Sequence, residues 1–191
     1  MFALQDTVRP DAADALKQLH ALGLHTVLLT GDTQVTADAV AQRVGVREWY
    51  AELLPHEKVQ VIERLRQRFG AVGMAGDGIN DAPALARADV GVSFAERSAD
   101  LAIETADVAL VGNDLLNLPY AFGLSRYAMR VLVQNIVFAT GVIVALVIAT
   151  FTAGLRLPFG VVGHEGSTLL VVLNGLRLLA GPRHPAHTHS G

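Results

Sequence analysis

The sequence predicts an α/β domain, a Rossmann-like parallel sheet with helices on both faces, followed by an α-helical transmembrane hairpin. Two observations support this. Short uncharged strands alternate with amphipathic helices over the first 111 residues, which is typical of a parallel sheet. The 191 residues are 51% hydrophobic and 17% charged, yet the charges lie mostly before position 131. A soluble part and a membrane part are therefore expected within one chain.

The soluble part divides into predicted helices and strands. Amphipathic segments, each followed by a glycine, predict helices over 11–22, 34–44 and 58–69. Short apolar runs predict strands over 26–29, 71–75, 90–94 and 108–111. The sequence has no cysteine, which excludes disulfides and thiolate metal sites within these residues. It has no basic patch with interleaved aromatic residues either, so nucleic acid is not an expected partner.

A glycine-rich turn with two aspartates follows the predicted strand over 71–75. The turn reads Gly76-Asp77-Gly78-Ile79-Asn80-Asp81. Its glycines let the backbone approach a ligand closely, and ligands bind at the carboxyl ends of strands in such sheets. We expect Asp77 and Asp81 to converge on Mg²⁺, which prefers oxygen ligands. An ordinary Asn/Asp/Gly turn is the alternative, but it would not require the second aspartate.

The turn resembles the Gly-Asp-Gly-x-Asn-Asp signature of P-type ATPases, which are members of the haloacid-dehalogenase superfamily. Asp6-Thr7-Val8-Arg9-Pro10 is similar to the segment where that family's chain re-enters its phosphorylation domain. Thr30-Gly31-Asp32 resembles the family's phosphate-holding motif, and Lys58 matches the lysine that neutralises the aspartyl phosphate. Taken alone, Thr30-Gly31-Asp32 could simply end a strand and cap the next helix, and Lys58 could be a solvated residue on an amphipathic helix.

The resemblance implies a set of functional residues and cofactors. It assigns catalytic roles to Thr30, Gly31, Asp32, Lys58 and Asn80. It places Mg²⁺ at Asp77 and Asp81, with ATP as the phosphoryl donor. These groups suit phosphoryl transfer, which depends on positioning and charge neutralisation.

The phosphorylated aspartate of the family is missing. That residue lies in an Asp-Lys-Thr-Gly-Thr motif, which does not occur in this sequence. The nucleotide-binding domain of the family is missing too. We therefore expect residues 1–118 to be a partial phosphorylation domain, with a sheet incomplete at its N-terminal part. The missing N-terminal part of the same pump would be its partner, and the chain alone would be inactive.

Residues after 118 predict a membrane part. A helical linker over 119–130 precedes uncharged or nearly uncharged spans over 131–152 and 159–180, each long enough to cross a bilayer. Arginines flank the outer ends of this pair, whereas the connector has only Arg156. The positive-inside rule then places residues 1–130 and the tail, a disordered, His-containing segment over 181–191, in the cytoplasm. We expect an integral protein of a bacterial plasma membrane, in contact with lipid.

The second predicted span carries His164-Glu165-Gly166-Ser167-Thr168. An ionisable pair inside a membrane segment indicates function, and imidazole with carboxylate suits Zn²⁺, Co²⁺, Ni²⁺ or Fe²⁺. The pentad resembles a motif of the cobalt/zinc-type subgroup of heavy-metal pumps, which implies that His164, Glu165 and Thr168 bind the transported ion. Alternatively, His164 and Glu165 lie hydrated at the outer interface. Gln134 and Asn135 are more consistent with helix packing.

Together these features predict ATP-driven transport of a divalent transition metal through an aspartyl-phosphate intermediate. Two alternatives remain from the sequence. One is a non-catalytic truncated or complementing membrane subunit. The other is a membrane-anchored phosphatase using another aspartate, which the absence of an Asp-x-Asp motif disfavours.

Overall fold

The structure, a computed structural model, describes residues 8–76, 81–95, 106–112, 114–153 and 157–181. The chain divides into two compact units, Met1–Pro119 and Tyr120–Gly191. Each unit is described by itself below.

The first unit alternates helices with short strands. Its elements are α1 (Ala12–Ala21), β1 (Val27–Leu29), α2 (Gln34–Val44), β2 (Glu48–Tyr50), α3 (Pro55–Phe69), β3 (Gly73–Gly76), α4 (Ala82–Arg87), β4 (Val90–Ala95) and β5 (Val108–Val111). The predicted helices and strands all correspond to observed ones. Three helices end before glycines with positive φ, namely Gly23, Gly45 and Gly70, a conformation that glycine adopts without steric cost.

The strands pair in parallel, as a Rossmann-type sheet requires, but the described strands form two sheets. β1 pairs with β2, and Leu28 lies opposite Trp49. β3, β4 and β5 form the second sheet in that order, with Gly76 opposite Ser93 and Ser93 opposite Ala109. Strand β2 was not predicted, because its three residues include a charged Glu48 and give no apolar run.

Two buried clusters hold this unit together. One joins Ala12 of α1 to Ala41 and Val44 of α2, with Leu28 and Trp49 packed against it. The other joins Ile62 of α3 to Met74 of β3 and Leu85 of α4, and Leu29 of β1 packs against it. Because Leu29 and Met74 share one cluster, the two sheets belong to one core. The carboxyl ends of β1 and β3 are the ends that carry the predicted site residues.

The second unit contains α5 (Asn117–Ala153) from Tyr120 onward, α6 (Leu157–Leu176) and a 3₁₀ turn (Arg177–Ala180). The linker predicted over 119–130 and the first predicted span form one continuous helix of 37 residues. No proline after Pro119 interrupts it, so the helical lead-in simply continues into the span. The linker is therefore not a separate element.

Among the described residues, one helix is long and apolar enough to cross a membrane, namely residues 117–152 of α5. Only 6% of its most apolar 18-residue stretch is buried. Helix α6 has 20 residues, but His164, Glu165 and Asn174 lower its hydropathy. The predicted transmembrane hairpin is thus not confirmed. Its first span is supported by length and composition, and its second is an apolar helix interrupted by polar side chains.

Candidate functional site

Lys58 and Asp81 form a close ion pair beside the end of β3. Lys58 Nζ donates a hydrogen bond of 2.6 Å to Asp81 Oδ1. Both side chains are mostly buried, with 13% and 16% of their surface exposed. Lys58 lies in the first turn of α3, where the helix dipole disfavours a positive charge. The carboxylate of Asp81 offsets this effect, so each charge depends on the other.

Gly76, the last residue of β3, makes room for Asp81. A Cβ atom added to Gly76 would lie 2.7 Å from Asp81 Oδ2 and 3.0 Å from Asp81 Cβ. Asp81 directly precedes α4, yet its side chain makes no capping hydrogen bond to that helix. Its carboxylate instead lies between the bare backbone of Gly76 and the ammonium of Lys58. A glycine is therefore required here by close approach, which the sequence predicted only in general terms.

Thr30, Gly31 and Asp32 follow β1 and form a local turn. The Thr30 hydroxyl donates to Asp32 Oδ2 at 2.9 Å and accepts from the Asp32 amide at 3.1 Å. Thr30 continues the strand pairing, since its amide donates to the carbonyl of Tyr50 at 3.0 Å. The hydroxyl of Thr30 is thus held at the carboxyl end of β1, as the sequence predicted.

The loop before α3 supports this turn. The amides of Glu52 and Leu53 donate to the carbonyls of Asp32 and Thr30, at 2.8 and 3.1 Å. Glu52 has a φ of 57°, which is uncommon for a residue other than glycine. The same loop leads into α3, where the Glu57 carboxylate accepts from the Leu54 amide at 2.8 Å and so caps the helix. The turn at Thr30 and the helix bearing Lys58 are therefore fixed by one loop.

Glu52 and Glu57 were missed at the sequence level. A capping signal was present for Glu57, because Pro55 opens the helix and an acidic residue follows two positions later. No sequence signal marks the backbone conformation of Glu52.

Ser93 is a further residue that the sequence did not single out. It lies in β4 opposite Gly76, and side chains of paired residues in neighbouring parallel strands point to the same face of a sheet. That face carries Asp81 and α4. Ser93 is 0% exposed, and its hydroxyl has no hydrogen-bond partner among the described residues. An unpartnered polar group is thus buried on the face of the sheet that carries Asp81, whereas most buried polar groups in proteins have a hydrogen-bond partner.

The donor chemistry at this edge fits a hard cation next to a phosphate group. Asp81 contributes carboxylate oxygens beside the end of β3, and Lys58 supplies a positive charge within hydrogen-bond distance of them. The Thr30 hydroxyl lies at the end of β1, where it bonds Asp32. Mg²⁺ prefers oxygen ligands and keeps part of its shell for water and phosphate. The space left by the missing side chain of Gly76 allows the carboxylate to sit close to the strand end. Of the two predicted magnesium ligands, Asp81 is the one within the described residues, and its role as a ligand stays a prediction.

Several predicted positions lie outside the described residues. Asp77 and Asn80 belong to residues 77–80, Asp6 lies before residue 8, and the histidines of the tail follow residue 181. Their roles remain predictions.

His164, Glu165 and Thr168 share one face of α6. All three are exposed, whereas Ser167 between them is 8% exposed. With about 100° per residue, His164 and Thr168 lie about 40° apart and Glu165 about 60° beyond Thr168. The hydroxyls of Ser167 and Thr168 donate to the His164 carbonyl, at 2.6 and 3.2 Å. No group of three or more His, Cys, Asp or Glu able to hold a metal occurs within the described ranges.

Comparison with known proteins identifies relatives of this chain. The profile of the haloacid dehalogenase-like hydrolases matches residues 1–89. The zinc-transporting ATPase of Bacillus subtilis (strain 168) is 51% identical over 177 residues, which is 93% of this chain and 28% of that protein. A probable cobalt/nickel-exporting P-type ATPase of Mycolicibacterium smegmatis is 42% identical over 181 residues, or 94% of this chain and 28% of its own length.

A solved structure extends the similarity to three dimensions. The crystal structure of a zinc-transporting PIB-type ATPase matches 91% of this chain and 28% of that protein. The TM-score is 0.81 and the sequence identity 41%. The chain thus spans just over a quarter of the length of these relatives, and the similarity includes both of its units.

Proposed function

We propose that this chain, a homologue of the zinc- and cobalt-transporting P-type ATPases along almost its entire length, is the phosphate-site and membrane portion of an ATP-driven pump for a divalent transition metal. The pump would work through an aspartyl phosphate, whose acceptor lies outside these 191 residues. The transported ion is of the zinc or cobalt class.

The observation that carries the proposal is the Lys58–Asp81 pair at the end of β3. An ammonium and a carboxylate 2.6 Å apart, mostly buried and next to the bare backbone of Gly76, form a site with matched charges. Gly76 lets the Asp81 carboxylate lie against the strand end, where a cation bound to it would sit beside an incoming phosphoryl group.

Lys58 and Thr30 have separate roles in phosphoryl transfer. Lys58 neutralises charge on the phosphoryl oxygens with the ammonium that pairs with Asp81 Oδ1. Thr30 donates its hydroxyl to a phosphoryl oxygen once it releases the Asp32 carboxylate. Preorganised donors of this kind stabilise the charge that develops in the transition state.

Asp81, together with Asp77 and with Asn80 in support, would hold Mg²⁺ at this strand end. When bound, the ion polarises phosphoryl oxygens and neutralises their charge. Asp81 is held ready for that role, because the hydrogen bond from Lys58 orients its carboxylate and Gly76 sets its distance from the strand.

The transported ion would bind His164, Glu165 and Thr168. The three side chains form one exposed face of α6, so the site needs further ligands from another part of the pump. Imidazole and carboxylate donors suit zinc and cobalt alike, so ligand type leaves the choice of metal open.

The division of the first unit into two sheets supports the proposed missing strand. β1 and β3 share a core cluster through Leu29 and Met74, yet no described strand lies between them. A strand supplied by the rest of the pump, carrying the phosphorylated aspartate, would complete one continuous parallel sheet.

The proposal is tested on the native protein in its source membranes. An antibody against the tail first measures its size, and a band several-fold above 20.3 kDa is expected. The purified native protein should then hydrolyse ATP with stimulation by Zn²⁺ or Co²⁺ and form an acid-stable, hydroxylamine-sensitive phosphoenzyme. Replacement of Asp77 by Ala should abolish turnover.

Two outcomes contradict the proposal. A native product of 20.3 kDa that neither hydrolyses ATP nor restores activity to a separate half would indicate the non-catalytic alternative. Full metal-stimulated activity in the Asp77→Ala protein would remove the assignment of the magnesium site.

A further inference from the structure

Helices α5 and α6 are in contact at two points, and both contacts fit one register of the two helices. Near the middle of α5, Asn174 Nδ2 donates to Asn135 Oδ1 at 2.8 Å. Farther along α5, a Cβ atom added to Gly163 would lie 3.1 Å from Leu146 Cδ2, so leucine and glycine are in close contact. Eleven residues separate the two positions on each helix. The helices therefore run antiparallel with a single register over about three turns.

Other contacts agree with that register. Phe138 and Val171, which are opposite each other in this alignment, border one cavity of about 290 Å³ between the helices. Ser167, which the alignment places opposite Val142, is 8% exposed. The Tyr127 hydroxyl also donates to the Arg177 carbonyl at 3.4 Å; this pair lies five residues away from the alignment, so it adds a contact near the start of α5 but does not help to define the register.

Both polar atoms of the Asn174 side-chain amide form hydrogen bonds. Its Nδ2 donates to Asn135, and its Oδ1 accepts from the Arg177 guanidinium at 3.1 Å. The arginine thereby fixes which way the Asn174 amide faces. Apart from Gln134, the remaining contact residues around this pair are apolar or small, and such surfaces can slide by a helical turn with little change in packing. A single asparagine pair in an apolar helix contact is known to select one register.

We propose that Asn135, Asn174 and Arg177 form a polar lock that sets the register of α6 against α5, and that Asn174 thereby positions the ion-binding face of α6. His164 follows the Leu146-contacting Gly163 by one residue, so a slip of α6 by one turn would move His164 and Glu165 by about 5.4 Å. Such a shift would separate them from ligands held by the rest of the pump. The role of the ion-binding face rests on the function proposed above, whereas the lock itself does not.

The lock can be tested directly, because the chain contains no cysteine and introduced pairs are its only thiols. The matched pair is Val142→Cys with Ser167→Cys. The displaced pair is Val142→Cys with Val171→Cys, four residues away. The full chain in membrane vesicles is oxidised, its free thiols are alkylated, and disulfides are counted by mass spectrometry. We expect the matched pair to form roughly threefold to tenfold more disulfide, within the range that an interhelical amide bond supports.

The same measurement is repeated with the lock broken. Asn174→Leu, and Asn135→Leu as a second variant from the other helix, should bring the matched-to-displaced ratio close to one. Asn174→Gln, which keeps an amide, should retain the preference. Leu173→Ala is the control, since Leu173 is 60% exposed on the same helix and should leave the ratio unchanged. Alkaline extraction of the vesicles confirms that each variant is inserted.

Equal disulfide yields from the matched and the displaced cysteine pairs, in a chain that keeps Asn135, Asn174 and Arg177, would contradict the proposed lock. So would an unchanged preference in the inserted Asn135→Leu or Asn174→Leu chains. For positioning, the native pump carrying Asn174→Leu should need about threefold to tenfold more Zn²⁺ for half-maximal ATPase activity, with Asn174→Gln restoring it. An unchanged Zn²⁺ requirement contradicts positioning. A wild-type protein without metal-stimulated ATPase contradicts the proposed function instead and leaves the register result intact.

Discussion

Lys58 and Asp81 are 23 positions apart in the sequence, yet their side chains form a 2.6 Å hydrogen bond beside the last residue of β3. The two residues reach this point by different routes. Lys58 is placed by the first turn of α3, and Asp81 by the turn before α4. Their contact joins the two helices that cover one face of the second sheet, so the candidate site is also a packing contact.

Removing either member of this pair should destabilise the first unit. Lys58→Met leaves a mostly buried carboxylate without its charged donor, which costs about 1–3 kcal/mol. Asp81→Asn should cost a similar amount, and the double variant less than the sum of the two. Denaturant unfolding of the chain in detergent, followed by circular dichroism, measures these effects.

Lys17→Met is the matched control for that pair. Lys17 also bonds an aspartate, Asp14, at 3.1 Å, but the two side chains are 76% and 67% exposed. Exposed pairs contribute little, so this variant should change stability by less than about 0.5 kcal/mol. Equal effects of the Lys17 and Lys58 variants would contradict the importance of the buried pair.

Gly76→Ala should displace Asp81. The added methyl group would lie 2.7 Å from Asp81 Oδ2, so the carboxylate must leave Lys58 or the strand end must shift. Overpacking of this kind costs about 1–3 kcal/mol, and we expect the ATPase activity proposed for the intact protein to fall with it. Gly73→Ala is the control, because its Cβ would meet only the Val90 carbonyl oxygen at an ordinary 3.7 Å. Equal stability losses in the two variants would show that the effect arises from the strand and not from Asp81.

The strand ends were predictable from sequence because they combine two strong signals, an apolar run and a glycine-containing turn. The contact that makes Gly76 essential was not predictable. It depends on the orientation of the Asp81 side chain, five positions later in the sequence. Strand β2 escaped prediction for a related reason. Glu48, Trp49 and Tyr50 are all only half-buried, so their environment comes from tertiary contacts that a local pattern does not reveal.

Ser93→Ala should leave the stability of the first unit unchanged or raise it by up to about 1 kcal/mol. Its buried hydroxyl has no described partner, and removing an unsatisfied polar group removes a desolvation cost. Thr33→Ala provides the contrast, because the Thr33 hydroxyl caps α2 through the Thr36 amide at 3.4 Å and its loss should cost about 1 kcal/mol. A stability loss in Ser93→Ala as large as in Thr33→Ala would reveal a partner for the Ser93 hydroxyl.

Acid should weaken the first unit through Glu48. The hydrogen bond to His25 does most to lower the pKa of Glu48, partial burial opposes it, and Tyr50 and Arg68 lower the pKa further. Because the folded-state pKa lies below the ordinary value of 4.5, the stabilisation is present above pH 4.5 and is lost as pH falls through the folded-state pKa.

This pH dependence can be measured by unfolding the chain between about pH 6 and pH 3, a window set by the ordinary carboxyl range of about 4. Glu48→Gln should flatten the decline, and His25→Gln should move it to higher pH by removing the main cause of the shift. A wild-type decline that persists unchanged in Glu48→Gln must come from other groups.

The division of the parallel strands into two sheets also affects how strongly the first unit self-associates when it is produced by itself. On the edge away from β4, strand β3 has no partner strand among the described residues, and neither does the edge of β1 away from β2. Such edges expose rows of backbone donors and acceptors that readily pair with another chain. If the rest of a pump normally covers them, the first unit produced by itself should self-associate through these edges. Its solubility would then depend on protein concentration and improve when a complementary strand is supplied as a peptide.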